Sequence, residues 1–333
     1  MMIHWKRIKI SKNEMKEMTS RSDLKGFIQV ITQLILTLFL GVLSYNAFLT
    51  QELYISIPIF LIYATVFSFT GYTAAIHELS HNTVFKTKWL NEFFIKIFAF
   101  ISWSDYQFYK ISHAQHHAFT THSGRDEEIV LPIKITPLYI VQKFTVDFTR
   151  LYSKDEGKSI IAMIRRAFGF IKHGREKNLI ANRITIKRKI VNWNRTVIIG
   201  HVLFATIFLT SGYPIMLLLF TFVTMFGQGL RTILSMTQHI CLESNVDDFR
   251  RNSRSMSLNP ILGFLYWQMQ YHIEHHMYAG IPFYNLKKFS KLVEEQMPVR
   301  KGLISTWHSI LKTRKIQQEN PDYYEIIKMN KIV

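Results

Sequence analysis

Three long windows without Asp, Glu, Lys or Arg constrain this chain more than any other feature of its sequence. They run over residues 26–51, 53–76 and 196–230 of a 333-residue chain in which 48% of the residues are hydrophobic. A helix needs about 20 apolar residues to cross the ~30 Å hydrocarbon core of a bilayer. Buried helices of soluble proteins rarely stay uncharged for so long, so the windows predict membrane spans.

The third window is long enough to cross a membrane twice, with a turn at Gly212-Tyr213-Pro214. The sequence therefore predicts an all-α integral membrane protein that forms a single domain over residues 1–333. We expect four transmembrane helices in two hairpins, joined to a helical cap on one side of the membrane. The predicted spans are 26–49, 53–76, 196–211 and 215–230.

The positive charge of the chain follows this topology. The net charge is +18, and the three regions 1–25, 77–195 and 231–333 carry 7, 20 and 14 Lys and Arg residues, which is all 41. Such asymmetry predicts that these three regions, with both termini, are cytoplasmic. It explains the charge more simply than nucleic-acid binding does, and it favours contact with anionic membrane lipids.

Histidines are concentrated in three short boxes on the predicted cytoplasmic side. HELSH follows the second span, HAQHH lies in the middle region, and HIEHH lies after the fourth span, where a ninth histidine also occurs. The i, i+4 pair of HELSH lies ~40° apart on a helix, and the i, i+3, i+4 spacing of HAQHH and HIEHH places three imidazoles within an arc of ~100°. The residues are His77, His81, His113, His116, His117, His239, His272, His275 and His276.

So many imidazoles in a few turns of helix indicate metal binding, because neutral imidazole is the commonest metal ligand and protonated imidazoles would repel one another. One catalytic zinc ion uses three protein ligands, whereas two ions with four or five ligands each would use all nine. Spacing alone does not distinguish zinc, copper, iron and nickel. A site at the mouth of apolar spans favours a lipid-like substrate, and with it iron and oxygen chemistry on unactivated C–H bonds.

The order HxxxH, HxxHH, HxxHH, with spans placed two and two around the boxes, resembles the membrane fatty acid desaturase superfamily of di-iron enzymes. HELSHNTVF resembles the first box of acyl-lipid and sphingolipid desaturases, and YHIEHHMYAGIPFYNL resembles their third box. The resemblance implies two iron ions, with molecular oxygen as cosubstrate, and the eight box histidines as iron ligands. In some members a further histidine between the fourth span and the third box is also an iron ligand, and the resemblance implies that role for His239.

The family reaction implied by the resemblance is oxidation of a lipid or fatty acyl chain, above all desaturation to a C=C bond. Related members instead hydroxylate, form a ketone or cleave a carbon–carbon bond, and the boxes do not separate these outcomes. Glu78 and Glu274, and also Asp126 and Glu127, are candidates to orient ligand imidazoles through the second ring nitrogen. His122 and Gln238 lie beside boxes and are candidates for positions next to the ligands.

The chain shows no fused haem or flavin domain, so electrons are expected from a separate ferredoxin or small haem protein with its reductase. The small chain and separate donor favour the bacterial inner membrane over the endoplasmic reticulum.

Two other classes of protein remain as alternatives. In an intramembrane zinc protease, His77 and His81 would bind the metal and Glu78 would act as base, but the chain lacks the Asp-Gly pair that this family uses. A metal transporter or lipid-binding membrane protein would hold its ligands near the midplane of the spans, where only His201 is found.

Overall fold

The computed structural model describes residues 3–126, 128, 135–153, 158–172, 174–180 and 183–330, and this part of the chain is mostly helical. Two two-residue strands, β1 (Met256–Ser257) and β2 (Lys301–Gly302), pair in parallel. The α-helices are α1 Lys12–Met18, α2 Asp23–Thr50, α3 Leu53–Ser68, α4 Ala75–Ser80, α5 Lys88–Ile101, α6 Tyr106–Phe119, α7 Pro137–Phe144, α8 Ile160–Ala167, α9 Arg175–Ile180, α10 Ile184–Thr210, α11 Gly229–Met236, α12 Phe249–Asn252, α13 Pro260–Leu265, α14 His272–Met277, α15 Phe283–Leu292 and α16 Leu303–Gln317.

Helices α2 and α3 form an antiparallel hairpin. The 28 residues of α2 extend about 42 Å at 1.5 Å per residue, and Ser22 caps its first turn by accepting the amide of Lys25. At the other end, the Ser56 hydroxyl of α3 donates to the carbonyl of Ala47 at 2.8 Å and ties the two helices together. The outer face of α2 exposes large aliphatic side chains, as expected of a helix that contacts lipid: Ile28, Ile31, Ile35 and Leu38.

The part of the chain that the structure describes contains two helices that are long and apolar enough to cross a membrane. They lie within residues 12–50 and 184–210, and the 16-residue apolar α3 is shorter. The four predicted transmembrane helices are therefore not confirmed. The bounds of the helices also differ from the predicted spans. The predicted second span is 53–76, but α3 ends at Ser68. The predicted third span is 196–211, but α10 begins well before it, at Ile184.

The predicted fourth span, 215–230, is not a continuous α-helix. It contains a π-helical segment, Leu217–Thr221, a 3-10 turn, Val223–Met225, and then Gly227 with a positive φ of 62°. The physical reason is close packing on α3, since a Cβ atom at Gly227 would lie 2.4 Å from the backbone carbon of Ala64. A regular helix would have neither a positive φ at this residue nor so close an approach to the backbone of α3.

The remaining helices gather around the histidine boxes, as expected of a helical cap. A buried ionic network fixes α6, which carries the second box. Asp105 caps α6 by accepting the amide of Phe108 at 3.0 Å, and its other carboxylate oxygen accepts from Arg166 of α8 and Asn194 of α10. Arg166 also donates to Glu176 of α9 at 2.8 Å. The Asp105 carboxylate thus aligns the helix of the second box with α8 and α10, and Arg166 extends the network to α9.

The three regions predicted to share one side of the membrane are in contact with one another. In the N-terminal segment, the Trp5 ring stacks on Phe249 at 4.0 Å, and the Ile8 carbonyl accepts from the Tyr278 hydroxyl at 2.8 Å. The Trp5 indole also donates to the carbonyl of Ala118, next to the second box. These contacts agree with a common side for the three regions.

Candidate metal centre

The three histidine boxes meet in the folded chain, and His239 joins them from the turn after α11. His77 lies on α4 and His81 is its C-cap, whereas the second and third boxes lie on α6 and α14. The nine imidazoles form two clusters, in each of which the atoms able to bind a metal lie within 4.8 Å of one another. The first, cluster A, contains His77, His81, His113, His117 and His275, and the second, cluster B, contains His116, His239, His272 and His276.

Each of the second and third boxes serves both clusters. In the second box the i, i+4 pair His113 and His117 points into cluster A, and His116 points into cluster B. The third box does the reverse, with His272 and His276 in cluster B and His275 in cluster A. The two clusters are therefore neighbours, built from the same two helices.

The Nε2 atoms converge within each cluster. In cluster A the Nε2 atom of His77 lies 2.8 Å from that of His275, and the Nε2 atom of His113 lies 3.1 Å from those of His81 and His117. In cluster B the Nε2 atom of His272 is 2.8 Å from that of His239 and 3.0 Å from that of His276. Two imidazoles bound ~2.1 Å from one ion and ~90° apart would place their nitrogens ~3.0 Å apart. The donor set of each cluster therefore fits one metal ion.

Several Nδ1 atoms point outwards to hydrogen-bonding partners. Nδ1 of His116 lies 2.8 Å from Asp126, Nδ1 of His113 lies 3.0 Å from Glu128, and Nδ1 of His239 lies 2.9 Å from the carbonyl of Asn252. A carboxylate or carbonyl oxygen accepts a hydrogen bond from Nδ1–H and so keeps the proton on Nδ1, which leaves the Nε2 lone pair free for a metal. Hydroxyl groups lie at the same position for two others, Tyr109 beside His77 and Thr120 beside His276, both at 3.2 Å.

The electrostatics of the site keep most of these imidazoles neutral. Burial, with repulsion from neighbouring imidazoles, holds the pKa of His77, His117 and His275 well below the usual range. Burial lowers the pKa of His239 to about 3. His116 differs: burial opposes its protonation, but the Asp126 carboxylate more than offsets this and raises the pKa. Neutral imidazole is the form that binds a metal.

Glu78 lies beside cluster A. Its carboxylate oxygen Oε1 is 3.6 Å from Nδ1 of His275, and neither atom has a hydrogen-bond partner among the described residues. Burial raises the pKa of the Glu78 carboxyl well above its usual value. The position agrees with the predicted role of supporting a ligand imidazole, with the gap to His275 slightly longer than a hydrogen bond.

Glu274 occupies a different position from the predicted one. Its carboxylate accepts hydrogen bonds from Ser255, at 2.5 Å, and from Ser290, and among the described residues no histidine contacts it. The reason is helical geometry, because residue 274 points ~200° away from 272 and ~100° away from 275 on α14. Glu274 therefore holds α14 against its neighbours and does not orient an imidazole.

Asp126 occupies its predicted position, and Glu127 lies outside the described residues. The partners of the histidines that were not predicted include Glu128, Tyr109, Thr120 and the carbonyl of Asn252. Glu128 had a signal, since it is the third of three consecutive acidic residues after the second box. Tyr109 precedes His113 by four residues on α6, and its ring stacks on that imidazole at 5.0 Å.

The other candidates lie outside the two clusters. His122 packs edge-on against Trp5, and its Nδ1 atom is 3.0 Å from the carbonyl of Thr120. Gln238 is buried, and its backbone carbonyl accepts the amide of Arg254. His201 of α10 stacks between Phe100 and Trp103, in a packing role.

Two adjacent imidazole clusters, in a chain with two long apolar helices among its described residues, are features of a membrane-associated metalloprotein. The model of the fatty acid desaturase family matches residues 52–307, which contain all nine histidines of clusters A and B. The chain therefore belongs to the fatty acid desaturase family, and it is an oxidoreductase that acts on a lipid or acyl substrate. A comparison with curated proteins found no match. The family assignment leaves the zinc-protease alternative without support.

Proposed function

We propose that the protein uses two iron ions and molecular oxygen to introduce a C=C bond into the alkyl chain of a lipid or fatty acyl substrate. The single observation that carries the proposal is the division of nine buried or half-buried histidines into adjacent clusters of five and four converging imidazoles. Membership of the desaturase family supports the same reaction.

The proposed iron ligands are the five imidazoles of cluster A and the four of cluster B. Zinc in a structural site takes four ligands and in a catalytic site three from the protein, so five imidazoles in cluster A exceed the usual zinc set. Imidazole also suits iron. The family assignment favours iron among the metals that these donors accept.

Bound iron would supply the means to reduce oxygen to two water molecules, with two electrons from the alkyl chain and two from a donor. The chain's own groups prepare the site for this. Asp126 and Glu128 hold two ligand imidazoles with Nε2 directed inwards. The burial of both clusters excludes bulk water, which protects reactive species from side reactions.

The donor electrons are proposed to come from a separate ferredoxin or small haem protein with its reductase. The proposed topology is multi-pass with cytoplasmic termini, in the bacterial inner membrane, and α3 and the irregular segment after α10 complete two hairpins with α2 and α10. The contacts of Trp5 and Ile8 with the C-terminal region support a common side for both termini.

Hydroxylation, ketone formation and oxidative cleavage are alternative outcomes at the same iron site. They are distinguished by the product, since only desaturation removes two hydrogen atoms and adds no oxygen. Lipid profiling of cells with and without the gene would reveal a mass change of −2 for desaturation and +16 for hydroxylation, by simple atomic mass.

Metal analysis and a matched pair of variants test the proposal. We expect about two irons per purified chain, from the two clusters. His116→Ala should abolish oxidation, because it removes a proposed ligand. His122→Ala is the control, since it removes an imidazole from the same region that belongs to neither cluster. Stoichiometric zinc without iron in active protein would refute the iron assignment.

A further inference from the structure

A second polar site lies outside both histidine clusters. It is a cavity of about 400 Å³ at the meeting point of the first turns of α2 and α15 with α13 and the segment before α14. Its rim carries Lys25 and Lys287, and its wall includes the amide side chains of Gln29, Gln268 and Gln270. Among the lining residues that the structure describes there is no Asp or Glu.

The charge of the cavity favours an anion. Lys25 and Lys287 are both exposed, and Nζ of Lys25 lies 5.1 Å from the centre of the Tyr284 ring, which faces the same cavity. The cavity also lies at the N-terminal ends of α2 and α15, and α15 has no side-chain cap on its first amides. Helix N-termini carry partial positive charge, which adds to that of the two lysines.

The interior of the cavity holds an acceptor without a partner. Gln270 is 5% exposed, and its Nε2 group donates to Oε1 of Gln268 at 3.0 Å, but its own Oε1 accepts no hydrogen bond from the residues that the structure describes. A buried acceptor without a partner is unfavourable. This oxygen is enclosed, and a ligand hydroxyl satisfies it once the Gln270 amide turns towards the cavity.

The cavity lies at the boundary between polar and apolar surface. Lys25 immediately precedes the uncharged window of α2, and apolar side chains flank the opening, with Ile28 58% exposed and Ile261 74% exposed. Lipid headgroups lie at this level of a membrane, next to the ends of spanning helices. The volume falls in the range of ordinary ligand pockets.

We propose that this cavity binds the headgroup of an anionic glycerophospholipid that carries free hydroxyl groups. The phosphate lies between Lys25 and Lys287, and a headgroup hydroxyl donates to Oε1 of Gln270. The acyl chains follow the exposed aliphatic face of α2 that begins at Ile28. This binding is independent of the reaction at the histidine clusters.

Native mass spectrometry of the full-length, metal-loaded protein tests the site with phosphatidylglycerol and phosphatidylcholine as probes. Each lysine near an anionic lipid surface contributes about fivefold in affinity, so Lys25→Gln with Lys287→Gln should weaken phosphatidylglycerol binding about 30-fold. Lys16→Gln with Lys291→Gln is the control, because it removes the same charge from exposed positions outside the cavity. An equal loss of phosphatidylglycerol binding in the control pair would refute the proposed site.

Two further comparisons identify the ligand. Gln270→Met should weaken binding of phosphatidylglycerol about fivefold, the value of one hydrogen bond, and leave binding of phosphatidic acid, which has no headgroup hydroxyl, unchanged. Equal effects on both lipids would overturn the hydroxyl contact. Inorganic phosphate at the same concentration should not displace phosphatidylglycerol, and displacement would show that the site binds free phosphate rather than a lipid.

Discussion

Replacement of Asp126 by Asn should weaken metal binding in one cluster and spare the other. One carboxylate oxygen of Asp126 lies 2.8 Å from Nδ1 of His116, a member of cluster B, and also accepts the amide of Thr121 at 2.9 Å. Its second oxygen accepts the amide of Glu128 at 2.9 Å. The variant keeps the shape but removes the negative charge that makes the imidazole a stronger ligand.

Loss of such an outer partner typically costs 10- to 100-fold in metal affinity or activity. We therefore expect Asp126→Asn to lower the iron affinity of cluster B by about that factor, or about 1.4 to 2.7 kcal/mol. Glu128→Gln is the matched comparison, because its partner His113 belongs to cluster A.

Iron titration of the metal-free variants, followed by Mössbauer or absorption spectroscopy, gives the occupancy of the two sites. Each variant should show one weakened site and one of normal affinity, and both should lose turnover. The reasoning would be wrong if both variants bound two irons with unchanged affinity. It would also be wrong if each lost both irons equally, since the two clusters would then not be separate sites.

Other predictions concern the fold and one ligand contact. Arg166→Met should destabilise the protein by about 3–5 kcal/mol, since it removes the arginine that pairs with the buried Asp105 carboxylate and one of the two arginines that pair with Glu176. Burial raises the pKa of the Glu176 carboxyl, but Arg166, Arg165 and the Lys172 amide together outweigh burial, and the net pKa is lowered. The melting temperature should therefore fall as the pH drops below about 4.5, and this dependence should weaken in Arg166→Met. Gly227→Ala should reduce the yield of folded protein much more than Gly212→Ala, which shares a positive φ but meets no atom within 4 Å. Tyr109→Phe should keep bound iron and the stacked ring but lower turnover up to about tenfold, measured by product analysis, and unchanged turnover would show that the hydroxyl near His77 is dispensable.

The sequence was most informative where short-range spacing decides geometry. The boxes predicted which imidazoles meet, because residues four apart on a helix share a face, as His113 and His117 do. The division into two clusters was not predictable, since it depends on how α6 and α14 cross. The position of His116 in the cluster opposite its neighbour His117 follows only from that packing.

The apolar region was predicted less well than the histidine boxes. Absence of charge predicted apolar segments correctly, but it carries no information on helix continuity. The break near Gly227 depends on a contact with Ala64, more than 150 residues away in the chain, and Gly alone is a weak signal in an apolar run. Composition therefore identified the segments that face lipid better than it identified their secondary structure.

The HELSH stretch shows why the number of converging ligands, and not the motif, decides the chemistry. In a zinc protease, the two histidines of this motif bind the metal and the glutamate contacts water at an open position. Here His113, His117 and His275 fill the space around His77 and His81. Glu78 is 1% exposed and lies on the outer side of His275, near its Nδ1 atom and not near the converging Nε2 atoms. Its carboxyl also has a raised pKa, which disfavours the charged form that a general base requires. The same five letters therefore supply two imidazoles of a larger cluster and one carboxyl group beside it.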